Sequence, residues 1–220
     1  MIVSAAARTD AYGIEAAKTL AIVVDDDRAI REALGNLFRS VGQAHVLFSS
    51  AGDFLDGSFP NVPCCMLLDV RLRGLSGFEL QSHLARIGAR IPIIFMTGHG
   101  DIAMSVRAMK AGAVDFLTKP FRDQDLLDVV AEAIDRDRRR RAAEEELGNV
   151  RRLYEALTPR EKEVMAYVVR GLRNKQMAGE MGLQEITVKI YRGQMMRKMG
   201  VYTVADLVRI AESMRLYNAA

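Results

Sequence analysis

The chain contains 220 residues with a formal net charge of +3 at pH 7, and 50% of them are hydrophobic. This length is enough for one large domain or two small ones, each with its own core. No apolar run approaches the length of a bilayer span and no signal-peptide pattern opens the chain, so we expect a soluble, cytoplasmic protein without membrane contact. The two cysteines are adjacent and the three histidines are scattered, which argues against disulfide frameworks and His/Cys metal clusters.

The charges are distributed unevenly along the chain. Residues 19–133 hold 11 Lys/Arg and 14 Asp/Glu, whereas residues 156–220 hold 11 and 6. An acidic first half and a basic second half indicate two domains with different partners, the second of which is expected to bind an anion. Residues 1–18 are Ala-rich and have little periodic pattern, so we expect a flexible N-terminal arm.

Strand-like and helical patterns alternate between residues 19 and 133. Short apolar runs are each followed by a segment with helical spacing, and the predicted strands are Leu20–Val24, Ala44–Phe48, Cys64–Asp69, Ile91–Met96 and Val114–Leu117. A regular β–α alternation of this kind predicts a parallel sheet with helices on both faces. The expected fold of residues 19–133 is therefore a doubly wound, five-stranded α/β domain.

Several of the predicted strands end at or near a polar side chain. The residues concerned are Asp25, Asp26, Asp69, Thr97 and Lys119. Because the carboxyl ends of parallel strands meet at one edge of the sheet, we expect these side chains to lie close together. Neighbouring carboxylates are hard oxygen ligands that suit Mg²⁺. A phosphoryl group on Asp69 would have its charge balanced by the metal, the Lys119 ammonium and the Thr97 hydroxyl.

A simpler interpretation of Asp25–Asp27 is that these aspartates only cap the helix that follows. Asp27 lies directly before the amphipathic segment 28–41 and is well placed to do so. For the other two aspartates, the predicted convergence with Asp69 on the same edge favours a ligand site.

Residues 134–155 form a charged stretch that we interpret as a helical linker continuing the fifth helix. Arg and Glu are good helix formers, and the apolar residues keep a spacing of three or four; they are Leu147, Val150, Leu153 and Leu157. This apolar seam could dock on the first domain or pair with a second copy of the chain, and the sequence leaves both open. The run Arg138–Arg141 is interpreted as a solvated helix face rather than a DNA contact.

Residues 156–220 show only short helical patterns. Thr158-Pro159-Arg160-Glu161 combines a hydroxyl cap, a proline at the first helical position and a glutamate three residues after the cap, which is typical of a helix start. The further helices expected are Lys175–Met181 capped by Asn174, Gln184–Met199, and a fourth from Thr203 to Leu216. Short helices joined by tight turns in a basic domain of this size predict an all-α helix-turn-helix domain that binds DNA.

Several of these motifs resemble those of a known family. Val23–Asp27, Leu68-Asp69, Thr97–Gly100 and Lys119–Phe121 resemble the flavodoxin-like receiver domain of two-component response regulators. In the second half, residues 157–161 and 187–189 resemble the DNA-binding domain of the LuxR/NarL type, and the whole chain is most similar to FixJ-type regulators. The resemblance implies that a partner histidine kinase phosphorylates Asp69 and that the protein regulates transcription, as a dimer on promoter DNA.

The resemblance also implies a metal site and a pair of residues that tunes the lifetime of the phosphoryl group. Magnesium would be held by Asp26, Asp69 and the backbone carbonyl of Arg71, with Asp25 assisting through a bound water. Arg71 and His99 flank the site and are expected to adjust the lifetime of the phosphoryl group.

Three further residues are expected to contact or report the phosphoryl group. Thr97 would move towards it and Phe116 would turn inward behind Thr97, which together would form the switch. Lys119 would contact the phosphoryl oxygens, and the Lys119–Pro120 peptide bond is a candidate for the cis form.

In the second domain the resemblance makes residues 184–199 the recognition helix, which would lie in the major groove. The expected DNA contacts are Thr187, Lys189, Ile190, Arg192, Gly193 and Lys198. Gly193 is unusual, because glycine within a helix costs roughly 0.8–1.0 kcal/mol relative to alanine. Either the helix backbone approaches the groove closely there or a contact is missing, and the sequence leaves both open.

The chain departs from the family pattern at Leu72-Arg73, where relatives commonly carry Met-Pro, and we expect this to alter the surface offered to the kinase. Two other functions would require different features. A receiver that is not phosphorylated would not need its intact acidic site. A magnesium-dependent phosphatase with Asp69 as nucleophile would need a second acid two residues later, where Arg71 stands. We therefore expect no enzyme activity beyond slow self-dephosphorylation.

Overall fold

The computed structural model describes residues 18–57, 60–98 and 102–214. The arm expected at residues 1–18 lies outside these ranges except for Lys18, and so does His99. The chain divides into two compact units, residues 1–141 and residues 142–220, which are described separately.

The first unit contains a parallel sheet of five strands. Their bounds are β1 Leu20–Val24, β2 His45–Phe48, β3 Cys64–Asp69, β4 Ile93–Thr97 and β5 Asp115–Thr118. The strand order is β2-β1-β3-β4-β5, with every neighbouring pair parallel. The prediction of a doubly wound, five-stranded α/β domain is confirmed.

Helices connect these strands and cover both faces of the sheet. Their bounds are α1 Arg28–Ser40, α2 Ala51–Leu55, α3 Gly77–Arg86, α4 Ile102–Lys110 and α5 Asp123–Glu155. Alternate residues of β1 enter different cores: Leu20, Ile22 and Val24 lie in one cluster, Ala21 and Val23 in the other. A strand that is buried on both faces has a continuous apolar sequence, and this pattern predicts the central strands.

The fourth strand begins later than predicted. The expected start was Ile91, but β4 begins at Ile93 and extends to Thr97. Pro92 has no backbone N–H to donate to a ladder, although its carbonyl accepts a hydrogen bond from Met66 N at 2.8 Å.

The second unit is helical, with α6 Pro159–Val169, α7 Asn174–Met181, α8 Glu185–Lys198 and α9 Val204–Ser213. Thr158 caps α6 in a complete capping box with Glu161, as predicted. Gly182 ends α7 in the left-handed conformation with φ 64°, which a residue with a side chain rarely adopts.

The predicted cap of the second helix in this unit is wrong by one residue. Asn174 is the first residue of α7, and Arg173 is the cap. The Arg173 N–H is bonded by the Gln176 side chain at 2.8 Å, while the Asn174 Oδ1 accepts from Arg192 Nη1 at 2.8 Å. Asn174 therefore fastens α7 to α8. The fourth helix ends at Ser213, and Leu216 lies outside the described residues.

The predicted linker is helical, since α5 continues without interruption to Glu155. Part of its apolar seam belongs to the second unit, an arrangement that neither sequence-based alternative named. Leu157 is buried in the helical core of the second unit. Leu147 and Val150 line a groove of about 610 Å³ together with Ile210 of α9. No helix in the described ranges is both long and apolar enough to cross a bilayer.

Candidate functional site

The carboxyl edge of the sheet brings the predicted site residues together. Asp25 follows β1, Asp69 ends β3, Thr97 ends β4 and Lys119 follows β5. The strand register aligns these ends, because Val24 pairs with Leu68, Asp69 with Met96 and Thr97 with Thr118. This is the convergence that parallel strands predicted.

Lys119 joins two of the carboxylates. Its ammonium lies 2.6 Å from Asp25 Oδ2 and 2.8 Å from Asp69 Oδ1. Burial favours the neutral amine, but the hydrogen bonds and charges of both acids outweigh it and raise the pKa of Lys119. Lys119 is therefore a cation at neutral pH.

Asp25 is the most deeply buried acid at this edge, with 1% of its surface exposed. Burial raises the pKa of Asp25 above its ordinary value, although Lys119 and the Asp27 N–H, 2.9 Å from Oδ1, act in the opposite direction. Asp25 is thus a buried acid whose charge depends on the shared lysine.

Asp69 is held by both of its oxygens. Lys119 contacts Oδ1, and the backbone N–H of Arg71 donates to Oδ2 at 2.8 Å. Asp69 is buried, and the Arg71 residue beside it is exposed. The carboxylate is therefore fixed in orientation at the rim of the sheet, which suits a nucleophile that receives a group from another molecule.

The start of α3 packs directly behind this acid. A Cβ atom on Gly77 would lie 2.4 Å from the Asp69 carbonyl oxygen and 3.1 Å from Phe95 Cε1. Gly77 also donates its N–H to Val70 O at 3.1 Å, and Ser76 caps α3 in a capping box with Glu79. The local sequence signal for this position is a glycine directly after a capping serine, but the group with which a Cβ atom would clash depends on the tertiary path of the chain.

The third acid, Asp26, has a different partner. Its Oδ2 lies 3.1 Å from Nε of Arg73, whose side chain is 91% exposed. Among the described residues, no three His, Cys, Asp or Glu side chains already form a metal-binding group. Lys119 and Arg73 hold the three carboxylates in separate ion pairs.

These residues nevertheless fit Mg²⁺. The donors are hard carboxylate oxygens at one edge, and Mg²⁺ needs only one or two carboxylates because it keeps several waters. Asp26 and Asp69 are the residues that would hold it, and the exposed Arg73 is the group that would have to leave.

The predicted switch residues lie on the two strands beside Asp69. Thr97 is buried, and its carbonyl accepts from the Lys119 N–H at 2.7 Å. Phe116 is half-buried against the first core and pairs with Phe95 across the strands. The Lys119–Pro120 bond is cis, as predicted. His99 lies outside the described residues.

The predicted DNA contacts lie on α8 or at its end. Lys189, Ile190 and Gly193 are exposed, whereas Thr187 and Arg192 are half-buried. Lys189 lies 3.3 Å from Glu185 one turn earlier, and this exposed pair is weak.

Lys198 has an internal partner. Its ammonium lies 2.7 Å from Glu161 Oε2, and Glu161 is 1% exposed. Burial raises the pKa of Glu161, but Lys198 and the Thr158 cap outweigh it, so the pKa lies below its ordinary value. A phosphate contact by Lys198 would compete with this pair.

Two family models match the chain. The response regulator receiver domain matches residues 21–131. The luxR family of bacterial regulatory proteins matches residues 155–211.

Individual proteins are similar over nearly the whole chain. Nodulation protein W of Bradyrhizobium diazoefficiens is 56% identical over 197 residues, which are 90% of this chain and 87% of that protein. A solved structure of the response regulator StyR has a TM-score of 0.82 at 46% identity and covers 89% of this chain and 99% of its own. Full-length FixJ from B. japonicum has a TM-score of 0.55 at 37% identity, with 91% and 98% covered.

Proposed function

Because the chain belongs to the two-component response regulators that join a receiver domain to a LuxR-type DNA-binding domain and regulate transcription, we propose that Asp69 is its phosphoryl acceptor. A sensor histidine kinase is the donor. The observation that supports this assignment most strongly is the position of Asp69, which is fixed by Lys119 at 2.8 Å and by the Arg71 N–H at 2.8 Å.

The proposed reaction uses a carboxylate oxygen of Asp69 as nucleophile. It attacks the phosphorus of a phosphohistidine, the P–N bond breaks as the O–P bond forms, and the histidine leaves. Lys119 and the Thr97 hydroxyl stabilise the charge that develops on the phosphoryl oxygens. Mg²⁺ held by Asp26, Asp69 and the Arg71 carbonyl would supply further charge neutralisation when bound. Asp25 contacts the lysine that it shares with Asp69, and it would help to hold Mg²⁺ through a water.

The conformational change that follows involves Thr97 at the end of β4 and Phe116 in β5. Phosphorylation replaces a carboxylate that Lys119 holds with a larger anion, and Thr97 moves towards it. The space behind Thr97 is filled by Phe116, which is half-buried in the unphosphorylated protein and so has a second position available. Arg71 lies beside the acceptor, and Arg71 together with His99 sets how long the phosphoryl group survives.

The output is DNA binding by α8 in the major groove. The contacts are made by Thr187, Lys189, Ile190, Arg192, Gly193 and Lys198, with Lys198 shared between phosphate and Glu161. One short recognition helix makes few base contacts, so a homodimer on paired half-sites is the expected source of affinity.

The protein turns over no external substrate in this proposal. Arg71 stands two residues after Asp69, where an acid would be needed to protonate a leaving group, and self-dephosphorylation is slow.

Intact-mass spectrometry tests the acceptor directly. The full chain is incubated with a small-molecule acyl phosphate and Mg²⁺, alongside Asp69→Asn and the control Asp128→Asn, an exposed aspartate of α5. One added phosphoryl group is expected in the wild type and the control but not in Asp69→Asn. An adduct on Asp69→Asn would move the acceptor to another residue, and no adduct on any protein would refute phosphorylation.

A further inference from the structure

One side of α8 carries two exposed isoleucines where a solvated helix face would be charged. Ile186 is 59% exposed and Ile190 is 53% exposed. Val188 and Met195 are fully buried on the other side. At 100° per residue, Ile186, Ile190, Gly193 and Arg197 fall within about 60° of one another and roughly opposite the buried pair. This outward line is therefore the part of α8 that points furthest from its own domain.

Two isoleucines one turn apart on an exposed helix surface do not favour the stability of that helix. β-branched residues lose rotamer freedom in a helix, and their exposed apolar surface gains nothing from solvent. The residues on either flank of the line are polar, among them Glu185, Lys189 and Gln194, all exposed. The isoleucines thus lie in the middle of the surface that the proposed function directs at DNA.

The next position along the line is open. A Cβ atom on Gly193 would have no neighbour within 4 Å, so no side chain of the domain fills the space beside Ile190. Without a side chain at this turn, the helix can lie deeper in a groove, which brings Ile186 and Ile190 closer to base edges.

The major groove offers one apolar group, the 5-methyl of thymine. We propose that Ile186 and Ile190 recognise thymine methyl groups at two neighbouring positions of each half-site. Ile186 is then a specificity-determining residue beside Ile190, near the N-terminal end of the helix where base contacts are made in helix-turn-helix proteins. This inference rests on the proposed binding of α8 in the major groove.

Replacing thymine by deoxyuridine removes the methyl group and keeps every hydrogen-bonding atom of the base. The full chain, treated with acyl phosphate and Mg²⁺, is first used to select binding duplexes from a random-sequence pool. Each thymine of the selected duplex is then replaced singly by deoxyuridine, and Kd is measured by fluorescence anisotropy. Two replacements per half-site are expected to weaken binding about fourfold each, as for about 0.8 kcal/mol per methyl-sized group.

The isoleucine variants assign each methyl to a side chain. Ile186→Ala is expected to bind the thymine duplex about as weakly as the wild type binds a duplex with uracil at the position that Ile186 contacts. For this variant, replacing that thymine by deoxyuridine should cause no further loss of affinity, whereas the loss at the other position (the uracil penalty there) should remain. Ile190→Ala is expected to lose the penalty at the other position. Ile87→Ala, an isoleucine 49% exposed in the other unit, is the control and keeps both penalties.

The outcomes separate this inference from the proposed function. A selected motif whose thymines all tolerate uracil, or an Ile186→Ala protein that keeps both penalties, would overturn the inference while leaving DNA binding intact. Selection that enriches no motif would overturn the proposed DNA recognition and this inference with it.

Discussion

At the scale of single residues, the site depends on one cation shared by two acids. Lys119 lies within 2.8 Å of both Asp25 and Asp69, so the two buried carboxylates do not repel each other unopposed. Asp26 is excluded from this arrangement and pairs with Arg73 instead. Relatives commonly carry proline at the position of Arg73. In this chain, Arg73 therefore contacts Asp26, a predicted magnesium ligand, directly.

This contact predicts that Arg73 weakens magnesium binding. Mg²⁺ at Asp26 must displace an ion pair worth about 0–1 kcal/mol, and it meets the repulsion of a neighbouring guanidinium as well. Arg73→Ala should raise the Mg²⁺ affinity of the unphosphorylated chain roughly two- to fivefold by isothermal titration calorimetry. Arg160→Ala, which breaks an exposed pair with Glu163 in the other unit, should leave it unchanged. Equal affinities for Arg73→Ala and the wild type would contradict the prediction.

Gly77 predicts a second effect at this scale. A methyl group at this position meets the Asp69 carbonyl at 2.4 Å, and backbone cannot yield as a flexible side chain can. Gly77→Ala should lower the free energy of unfolding by about 1–3 kcal/mol in urea denaturation. The matched helical control is Gly52→Ala in α2, where the nearest atom is Ser50 Oγ at 3.7 Å. A Gly77→Ala protein as stable as this control would refute the close contact.

At the scale of elements, α5 is anchored to the sheet by a buried acid. Asp137 is fully buried and accepts from the Cys64 N–H of β3 at 3.0 Å. Its other contacts are Arg140 Nε at 3.1 Å and Arg141 Nε at 2.7 Å, and Arg141 also donates to Pro60 O at 3.2 Å. Part of the arginine run, interpreted from sequence as a solvated face, therefore fixes the helix to the N-terminal end of the central strand.

Replacing Asp137 should lower the free energy of unfolding more than replacing a similar acid on the same helix. Asp137→Ala leaves the Cys64 N–H unpaired and removes the acid that Arg140 and Arg141 both contact, which should destabilise the first unit by about 2–4 kcal/mol. Asp135→Ala is the control, because Asp135 also pairs with arginines three and four residues later but is partly exposed. Calorimetry of the full chain at pH 7 measures both, and equal losses would contradict the anchoring role.

The stability difference between the wild type and Asp137→Ala should depend on pH in a defined direction. Burial raises the pKa of Asp137, but Arg141, Arg140 and the Cys64 N–H outweigh it and lower the pKa overall. A lowered folded-state pKa gives stability that is present above the unfolded value of about 3.9 and is lost as pH falls through the folded value. The difference between wild type and Asp137→Ala should therefore be constant from pH 7 to 5 and shrink below about pH 4. A difference that grows on acidification would contradict this sign.

Gly193 allows a test within the proposed recognition helix α8. Gly193→Ala meets no neighbour, so it should raise the free energy of unfolding of the second unit by about 0.8–1.0 kcal/mol. Gly200→Ala, at φ 67°, should lower it. If Gly193→Ala also weakens binding to the selected duplex, the backbone approaches the groove closely there, whereas unchanged binding means that a contact is simply missing. A Gly193→Ala protein less stable than the wild type would show that the position is not open.

The contacts that follow from the alternation of strands and helices could be predicted from the sequence, whereas contacts between segments that this alternation does not align could not. Asp69 and Lys119 could be placed together because every parallel strand ends at the same edge. The pairing of Asp137 with Cys64 spans 73 residues, and no repeat in either segment encodes it. The Lys198–Glu161 pair spans 37 residues in the same way. Such contacts depend on the path of the chain in space, which local patterns do not specify.

At the scale of the whole molecule, an acidic receiver unit, with Asp69 as its proposed phosphoryl acceptor, is joined to a basic unit of the LuxR DNA-binding type. The charges divide as 11 Lys/Arg and 14 Asp/Glu in residues 19–133 against 11 and 6 in residues 156–220. The helix α5 belongs to both units, since it runs from Asp123 to Glu155 across the boundary after Arg141. Its first part is fixed by Asp137, and the residue Leu157 just beyond its end is buried in the second core.

Phosphorylation of Asp69 is proposed to control DNA binding by the second unit. The measurement that tests it most directly is the affinity of the full chain for the selected duplex, with and without acyl phosphate and Mg²⁺, for wild type and Asp69→Asn. The donor should strengthen binding by the wild type, as expected if phosphorylation favours a dimer, and should have no effect on Asp69→Asn. Donor-dependent binding by Asp69→Asn, or a wild type indifferent to the donor, would contradict the account.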